Sequence, residues 1–232
     1  MKIERLEWDS NLFGYEIGKI SIESEDDNFD NVLLAKDDFK LVYVESDAPI
    51  VKKELGTCYE KIKYFKEVDR DRTSVIIRGD LTVEKYSENL TDQLLSLTYL
   101  SGVYSRFRLD ENFENNEYKK LYKKWIQNSL TGKIADNVEV VKDDTSKILG
   151  FVTIKFENST AEVGLIAVDN NARGLGLGSL LLNKVNEISI NKKCKKIFVS
   201  TQKNNKMACK FYEKNGFKEF ETKYIYHWWP NK

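Results

Sequence analysis

A chain of 232 residues is long enough to bury a sizeable core, either as one large domain or as two small ones. Its 37 basic residues are balanced by 37 acidic ones, so no excess positive field draws it to nucleic acid or to an anionic lipid surface. Three cysteines without a CxxC spacing and a single histidine make neither a disulfide framework nor a metal-ligand set, and no apolar stretch has signal-peptide length or the roughly 20 residues that span a bilayer. The expectation is a cytoplasmic protein with reduced packing thiols, no bound metal, no nucleic-acid partner and no membrane segment.

Two prolines and 12 glycines leave little punctuation, so boundaries come from changes in hydrophobic period. "YEIGKISI" (15–22), "KLVYVES" (40–46) and "TSVIIRG" (73–79) read as strands, with "FDNVLLAKD" (29–37) as a helix between the first two. These make a small α/β unit over residues 1–80. From Glu88 the pattern turns helical: "NLTDQLLSLTYLSG" is followed by "NNEYKKLYKKWIQNSL", in which Tyr118, Leu121, Tyr122, Trp125 and Ile126 recur at steps of three and four. "NVEVVKD", "KILGFVTIKFEN" and "TAEVGLIAVD" then read as an antiparallel meander joined by "DDTS" and "NS" turns. No low-complexity linker separates residues 1–80 from 81–232, so the two parts are expected to pack together.

The meander runs into "NNARGLGLGSLLL" (170–182), for which three phosphate-binding readings compete. A P-loop needs a lysine directly after its last glycine, and none comes before Lys184. A dinucleotide fingerprint needs Gly-x-Gly-x-x-Gly and an acid ending the next strand, whereas this loop is Gly174-x-Gly176-x-Gly178 and the strand "KKIFVS" ends in Ser200. Arg-x-x-Gly-x-Gly fits, through Arg173, Gly176 and Gly178, ahead of a helix with Leu177, Leu180, Leu181, Val185 and Ile188 on its buried side. Glycines let backbone amides approach a pyrophosphate, and the helix N-terminus that follows favours negative charge, which suits coenzyme A. The alternative is a plain glycine-rich turn.

About 25 residues on, "NNKMACKFYEKNGF" sets Asn205, Ala208, Phe211 and Tyr212 along one helix, with Gly216 at its end. Together with "VDNNARGLGLG" this resembles the GCN5-related N-acetyltransferase superfamily over residues 81–232. The resemblance implies an α/β fold whose mixed sheet splays between core strands four and five, with acetyl-CoA as co-substrate entering the split. It implies that Arg173, Gly174, Gly176, Gly178 and Ser179 hold the pyrophosphate, that Asn205, Ala208 and Phe211 lie beside the pantetheine, and that Tyr212 is the general acid. A narrower resemblance, to bacterial TDP-fucosamine acetyltransferases, rests on "WDSNLFGYEIGKI", "SRFRLDENF", "YKKWIQNSLTGK", "STQKNNKMA" and "YIYHWW". It implies a small-molecule acceptor, the 4-amino group of a nucleotide-linked amino-dideoxy sugar. One departure from the superfamily pattern is "VDNNARG", where many members carry a proline after the acid.

The chemistry asks for an uncharged amine, donors for a developing oxyanion and a proton for the departing thiolate. Amides of the diverging strand around Ile166, Ala167 and Val168 suit the oxyanion. Tyr212, seven residues after Asn205 and so on the same helical face, suits the proton; the alternative is a core tyrosine. Arg106 in "SRFRLD" is a candidate for an acceptor phosphate, with Arg108 as the lesser one, and either also suits a surface ion pair. Tyr104, Phe107 and Trp125 suit a stacking wall, although Trp125 suits the core equally, and Thr201 and Gln202 end a strand where the sheet opens. His227 is either a base or a strand residue on a polar face with no catalytic duty. The first 80 residues are expected to shape the acceptor side or to fix a homodimer. Rival functions are a peptide or protein N-acetyltransferase and a non-catalytic coenzyme A-binding module.

Overall fold

Ten strands form one mixed sheet in the computed structural model, which describes residues 3–22, 38–71 and 81–230. They are β1 (Glu4–Arg5), β2 (Ile17–Ile22), β3 (Leu41–Ser46), β4 (Cys58–Glu67), β5 (Leu81–Lys85), β6 (Asn137–Asp143), β7 (Ile148–Glu157), β8 (Thr160–Val168), β9 (Lys196–Gln202) and β10 (Lys218–Trp228). Their order across the sheet is β1-β2-β3-β10-β4-β9-β8-β7-β6-β5. The helices are α1 (Glu7–Phe13), α2 (Asp92–Ser101), α3 (Arg106–Leu109), α4 (Glu117–Leu130), α5 (Leu177–Asn191) and α6 (Lys206–Lys214). The expected helix at 29–37 and strand at 73–79 lie outside the described residues.

Side-chain alternation divides the interior between the two faces of the sheet. Phe151 and Val152 are neighbours in β7, yet Phe151 packs with Leu94 of α2 and Ile126 of α4, while Val152 packs with Leu181 and Val185 of α5. Two side-chain caps start the helices that border the split described below. Thr91 accepts from the Leu94 amide at 3.3 Å to start α2, and Ser105 accepts from the Phe107 amide at 3.1 Å to start α3.

The division expected near residue 80 is crossed by this one sheet. β10, the last strand, lies between β3 and β4, and β4 in turn pairs with β9 through Lys61↔Gln202 to Glu67↔Lys196. A buried asparagine adds a second tie: Asn186 of α5 accepts from the Asp69 amide at 2.9 Å and donates to the Asp69 carbonyl at 2.8 Å. The sheet contains two parallel pairs, and they differ. β2 and β3 stay in register throughout, from Ile17↔Leu41 to Ile22↔Ser46. β8 and β9 pair only from Thr160↔Lys196 to Val163↔Val199 and then part. Beyond Val199, β9 remains on β4 and β8 remains on β7, which opens a split between them.

Candidate active site

The split leaves backbone groups without partners. From Gly164 to Val168, β8 has no neighbour on its β9 side, so amides of Ile166, Ala167 and Val168 that face away from β7 have no strand to receive them. β8 ends at Asp169, whose carboxylate accepts from the Asn171 amide at 2.8 Å and starts a 3₁₀ turn over Asn170–Ala172. This side chain fixes the turn without a proline. Gly174 and Gly176 follow with φ of 80° and 81°, a left-handed conformation that favours glycine. Among the described residues, no group accepts from the amides of residues 174–179. Six consecutive donors at the start of a 15-residue helix suit an anion such as the pyrophosphate of coenzyme A.

A cleft of about 400 Å³ opens over these donors. Its walls include Ile166, Ala167, Val168, Arg173, Gly174, Gly176, Gly178, Ser179, Asn205, Ala208, Phe211 and Tyr212, so every residue expected to meet the cofactor is gathered there. Asn205 also has a structural duty, since its Oδ1 accepts from the Ala208 amide at 3.1 Å and caps α6. A second cavity of about 260 Å³ lies on the other side of the split and takes in Tyr104, Arg106, Phe107, Thr201 and Gln202. The two cavities share Ser101, Tyr104, Ile166, Asn205, Ala208 and Tyr212. Tyr212 therefore stands where they meet. Its ring is buried against Tyr64, Phe211 and Phe217, burial raises its phenol above the ordinary value, and no hydrogen bond ties down the hydroxyl among the described residues. A protonated hydroxyl at the junction can give its proton to a group that develops negative charge there.

The Arg106 side chain makes no hydrogen bond and no ion pair among the described residues, and the Asp9 carboxylate acts on it through space. Its guanidinium lies 4.8 Å from the Tyr43 ring centroid and 4.4 Å from that of Phe107, and its Nε is buried without a partner. A stacked and unpaired guanidinium is equipped to take an anion. Arg108 is exposed and lines neither cavity. Trp125, for which packing was an equal expectation, packs against the core beside Tyr122 and also lines the second cavity. Two charged residues of the second cavity went unnoticed in the sequence: Lys61, whose ammonium is pulled below its ordinary value by burial and by Arg106, and Glu162. The period-two spacing of Lys61 with Lys63, and of Glu162 with Gly164 and Ile166, was the available signal.

His227 does not lie on a polar strand face. It is 5% exposed, lines neither cavity, and sits among Tyr43, Tyr59, Phe107 and Phe113 with its Nδ1 2.6 Å from Asp110 Oδ2. Trp229 Nε1 donates to the same oxygen at 2.9 Å. Burial would raise Asp110, but hydrogen bonds from His227, the Asn112 amide and Trp229 hold it below the usual carboxylate range, so Nδ1 carries the proton. Burial pulls His227 itself down to about 4, with Arg106 acting in the same direction and Asp110 against it. Between pH 6.5 and about 4 the unfolded chain therefore binds a proton that the folded chain refuses. This contribution to stability is present in full above pH 6.5 and is lost as pH falls through that window, costing about 2 kcal/mol between pH 7 and pH 5. Urea unfolding at the two pH values should show that loss in the wild type and a shallower one in His227→Asn. Equal slopes would mean that His227 is protonated in the fold.

A model of the acetyltransferase (GNAT) family matches residues 101–217. The spore coat polysaccharide biosynthesis protein SpsD of Bacillus subtilis (strain 168) is 25% identical over 142 residues, which are 61% of this chain and 48% of that protein. The chain spans about half the length of the curated relatives it matches. Among solved structures, a conserved protein of unknown function from Staphylococcus epidermidis ATCC 12228 matches with a TM-score of 0.63 at 13% identity, over 93% of this chain and 84% of that one. A tandem GNAT protein from the clavulanic acid biosynthesis pathway matches with a TM-score of 0.58 at 13% identity, over 90% and 72% of the two chains. At these identities the likeness is one of fold.

Proposed function

The chain belongs to the acetyltransferase (GNAT) family, and from that premise we propose that it transfers the acetyl group of acetyl-CoA to a small-molecule amine, the 4-amino group of a nucleotide-linked amino-dideoxy sugar. The observation that carries the reading is the meeting of two cavities at Tyr212 and Ile166, where β8 leaves β9. The cavity over the glycine loop takes the coenzyme A side and the other takes the acceptor. Amides of residues 174–179 hold the pyrophosphate, and an amide of the Ile166–Val168 stretch donates to the thioester oxygen as charge develops on it. The amine nitrogen adds to the thioester carbon and forms the C–N bond. The C–S bond then breaks, and the thiolate takes the proton of Tyr212. The surplus proton of the attacking nitrogen passes to water in the acceptor cavity.

Arg106 supports an acceptor that carries an anion, because its guanidinium stands beside Lys61 with no close ion pair, only the through-space influence of Asp9, and so gains from a negative group. SpsD, whose name places it in polysaccharide biosynthesis, supports a sugar acceptor. Residues 1–80 take no catalytic part in this reading, since the β2–β3 pair stays closed and offers no split. They supply one wall of the acceptor cavity through Lys61.

Thiol release from acetyl-CoA, measured with the TDP-linked amino sugar, the free amino sugar and lysine-containing peptides, tests the proposal. The nucleotide-linked acceptor should be strongly preferred, and Arg106→Ala should raise its KM about tenfold to a hundredfold with little change for acetyl-CoA. A preference for peptides, or indifference to the nucleotide, refutes the acceptor assignment. Coenzyme A binding with no turnover on any amine would make the protein a binding module.

A further inference from the structure

The acceptor cavity does not end where its walls end. Alternation along β4 puts Lys61, Lys63 and Phe65 on one face, and the register sets them beside Gln202, Ser200 and Phe198 of β9, with Glu162 of β8 next to Phe198. Lys61, Gln202, Ser200 and Glu162 line the cavity, so the same face continues past its mouth to Phe65 and Phe198. Ile62, Tyr64, Ile197 and Val199 alternate with these residues and pack under α5 and α6 on the other face. The register of β10 against β4 shifts between Glu219 and Glu221, and the extra residue, Phe220, completes a ring cluster. Phe220 lies 5.9 Å from Phe65 and 5.4 Å from Phe198, and the latter two are 6.3 Å apart. Phe220 is 53% exposed. Lys63 Nζ lies 4.9 Å from the Phe198 centroid and Lys196 Nζ 5.1 Å from that of Phe65.

We propose that Phe65, Phe198 and Phe220 form the stacking platform for the base of a nucleoside diphosphate-linked acceptor, with Lys61 and Lys63 contacting the diphosphate. The inference rests on the nucleotide-linked acceptor proposed above and gives that ligand a direction. With its amine at Tyr212, the acceptor crosses the split, meets Lys61, and turns down the sheet. Lys61 to Phe65 is four residues of strand, about 13 Å, which leaves room for a diphosphate and a ribose before the base. A phosphate draws Lys63 off the Phe198 ring and uncovers its face for the base. Glu162 and Glu221 border the same face, so ring stacking, and not net charge, carries the selection. Those charges at the margin, and continuity with the acceptor cavity, favour a soluble ligand over a second copy of the chain.

The test uses Phe220→Thr and the double variant Phe198→Thr/Phe220→Thr, since threonine keeps strand propensity and Phe220 is exposed enough to be replaced without loss of fold. The expected result is a fall of about tenfold or more in kcat/KM for the nucleotide-linked amino sugar, and a matching rise in the inhibition constant of TDP. Activity on the free amino sugar and KM for acetyl-CoA should stay unchanged. If the wild type prefers the nucleotide-linked acceptor and both variants keep that preference, the platform is wrong and the acceptor assignment stands. If the wild type ignores the nucleotide, the acceptor assignment fails and the platform fails with it. A wild-type dimer that the variants lose in sedimentation, with unchanged preference, would assign the patch to a second copy.

Discussion

Replacing Tyr212 with phenylalanine is expected to lower kcat about 100-fold or more while the dissociation constant of acetyl-CoA stays within about twofold. The change removes one oxygen and keeps the ring, so contacts with Tyr64, Phe211 and Phe217, at centroid distances of 5.8, 5.3 and 5.8 Å, survive. The hydroxyl has no hydrogen-bond partner among the described residues, so its loss strands no buried group and the fold should hold its stability. What disappears is the proton for the departing thiolate, an interaction made only as the C–S bond breaks. Such a loss falls on kcat and not on ground-state binding. Burial holds the phenol above its ordinary value, so the residual pH profile near neutrality should show no step from this group in either protein. Calorimetry with acetyl-CoA and steady-state thiol release separate the two quantities. An unchanged kcat beside unchanged binding would return Tyr212 to a packing role.

The parts of this site that could be read from the sequence are those written in local spacing. The three strands from Asn137 to Val168, the glycine loop, the helix after it and the Asn205 to Tyr212 helix all lie where periodicity and turn chemistry put them, because each depends on neighbours within about ten residues. The rest depends on pairings made across the chain. β4 went unread although Ile62 and Tyr64 alternate with Lys61 and Lys63: lysines on one face suggest a solvated segment until β9 and β10 are seen on either side of it. Nothing local shows that the last strand slots between β3 and β4, so the boundary expected at residue 80 gave no hint of one continuous sheet. Asp110 and His227 are 117 positions apart, and neither neighbourhood betrays the other. The expectation of packing thiols holds for Cys194 and Cys209, which are buried, and not for Cys58, which is exposed because it opens β4 at the surface.

The second large effect is expected at Gly176. A Cβ built on this residue meets no protein atom within 4 Å, so a side chain there projects into open space over the loop, where the pyrophosphate of coenzyme A would lie. Its φ of 81° is also costly for any L-residue, and more so for a β-branched one, by about 1–2 kcal/mol of local strain. Gly176→Val should therefore lose stability only modestly and lose coenzyme A affinity about tenfold to a hundredfold, the worth of one or two amide contacts to a charged phosphate. Gly178 offers the contrast, because a Cβ there comes within 2.9 Å of the Phe211 ring, which must shift from its place against α5. Gly178→Val should lower the unfolding midpoint as well as the affinity, whereas Gly176→Val separates the two. The comparison needs calorimetry with coenzyme A and with dephosphorylated pantetheine, which has no pyrophosphate. If Gly176→Val weakens both ligands equally, the loop acts through the fold and not through the phosphate. If it spares pantetheine and weakens coenzyme A, the amides of residues 174–179 are the anion site.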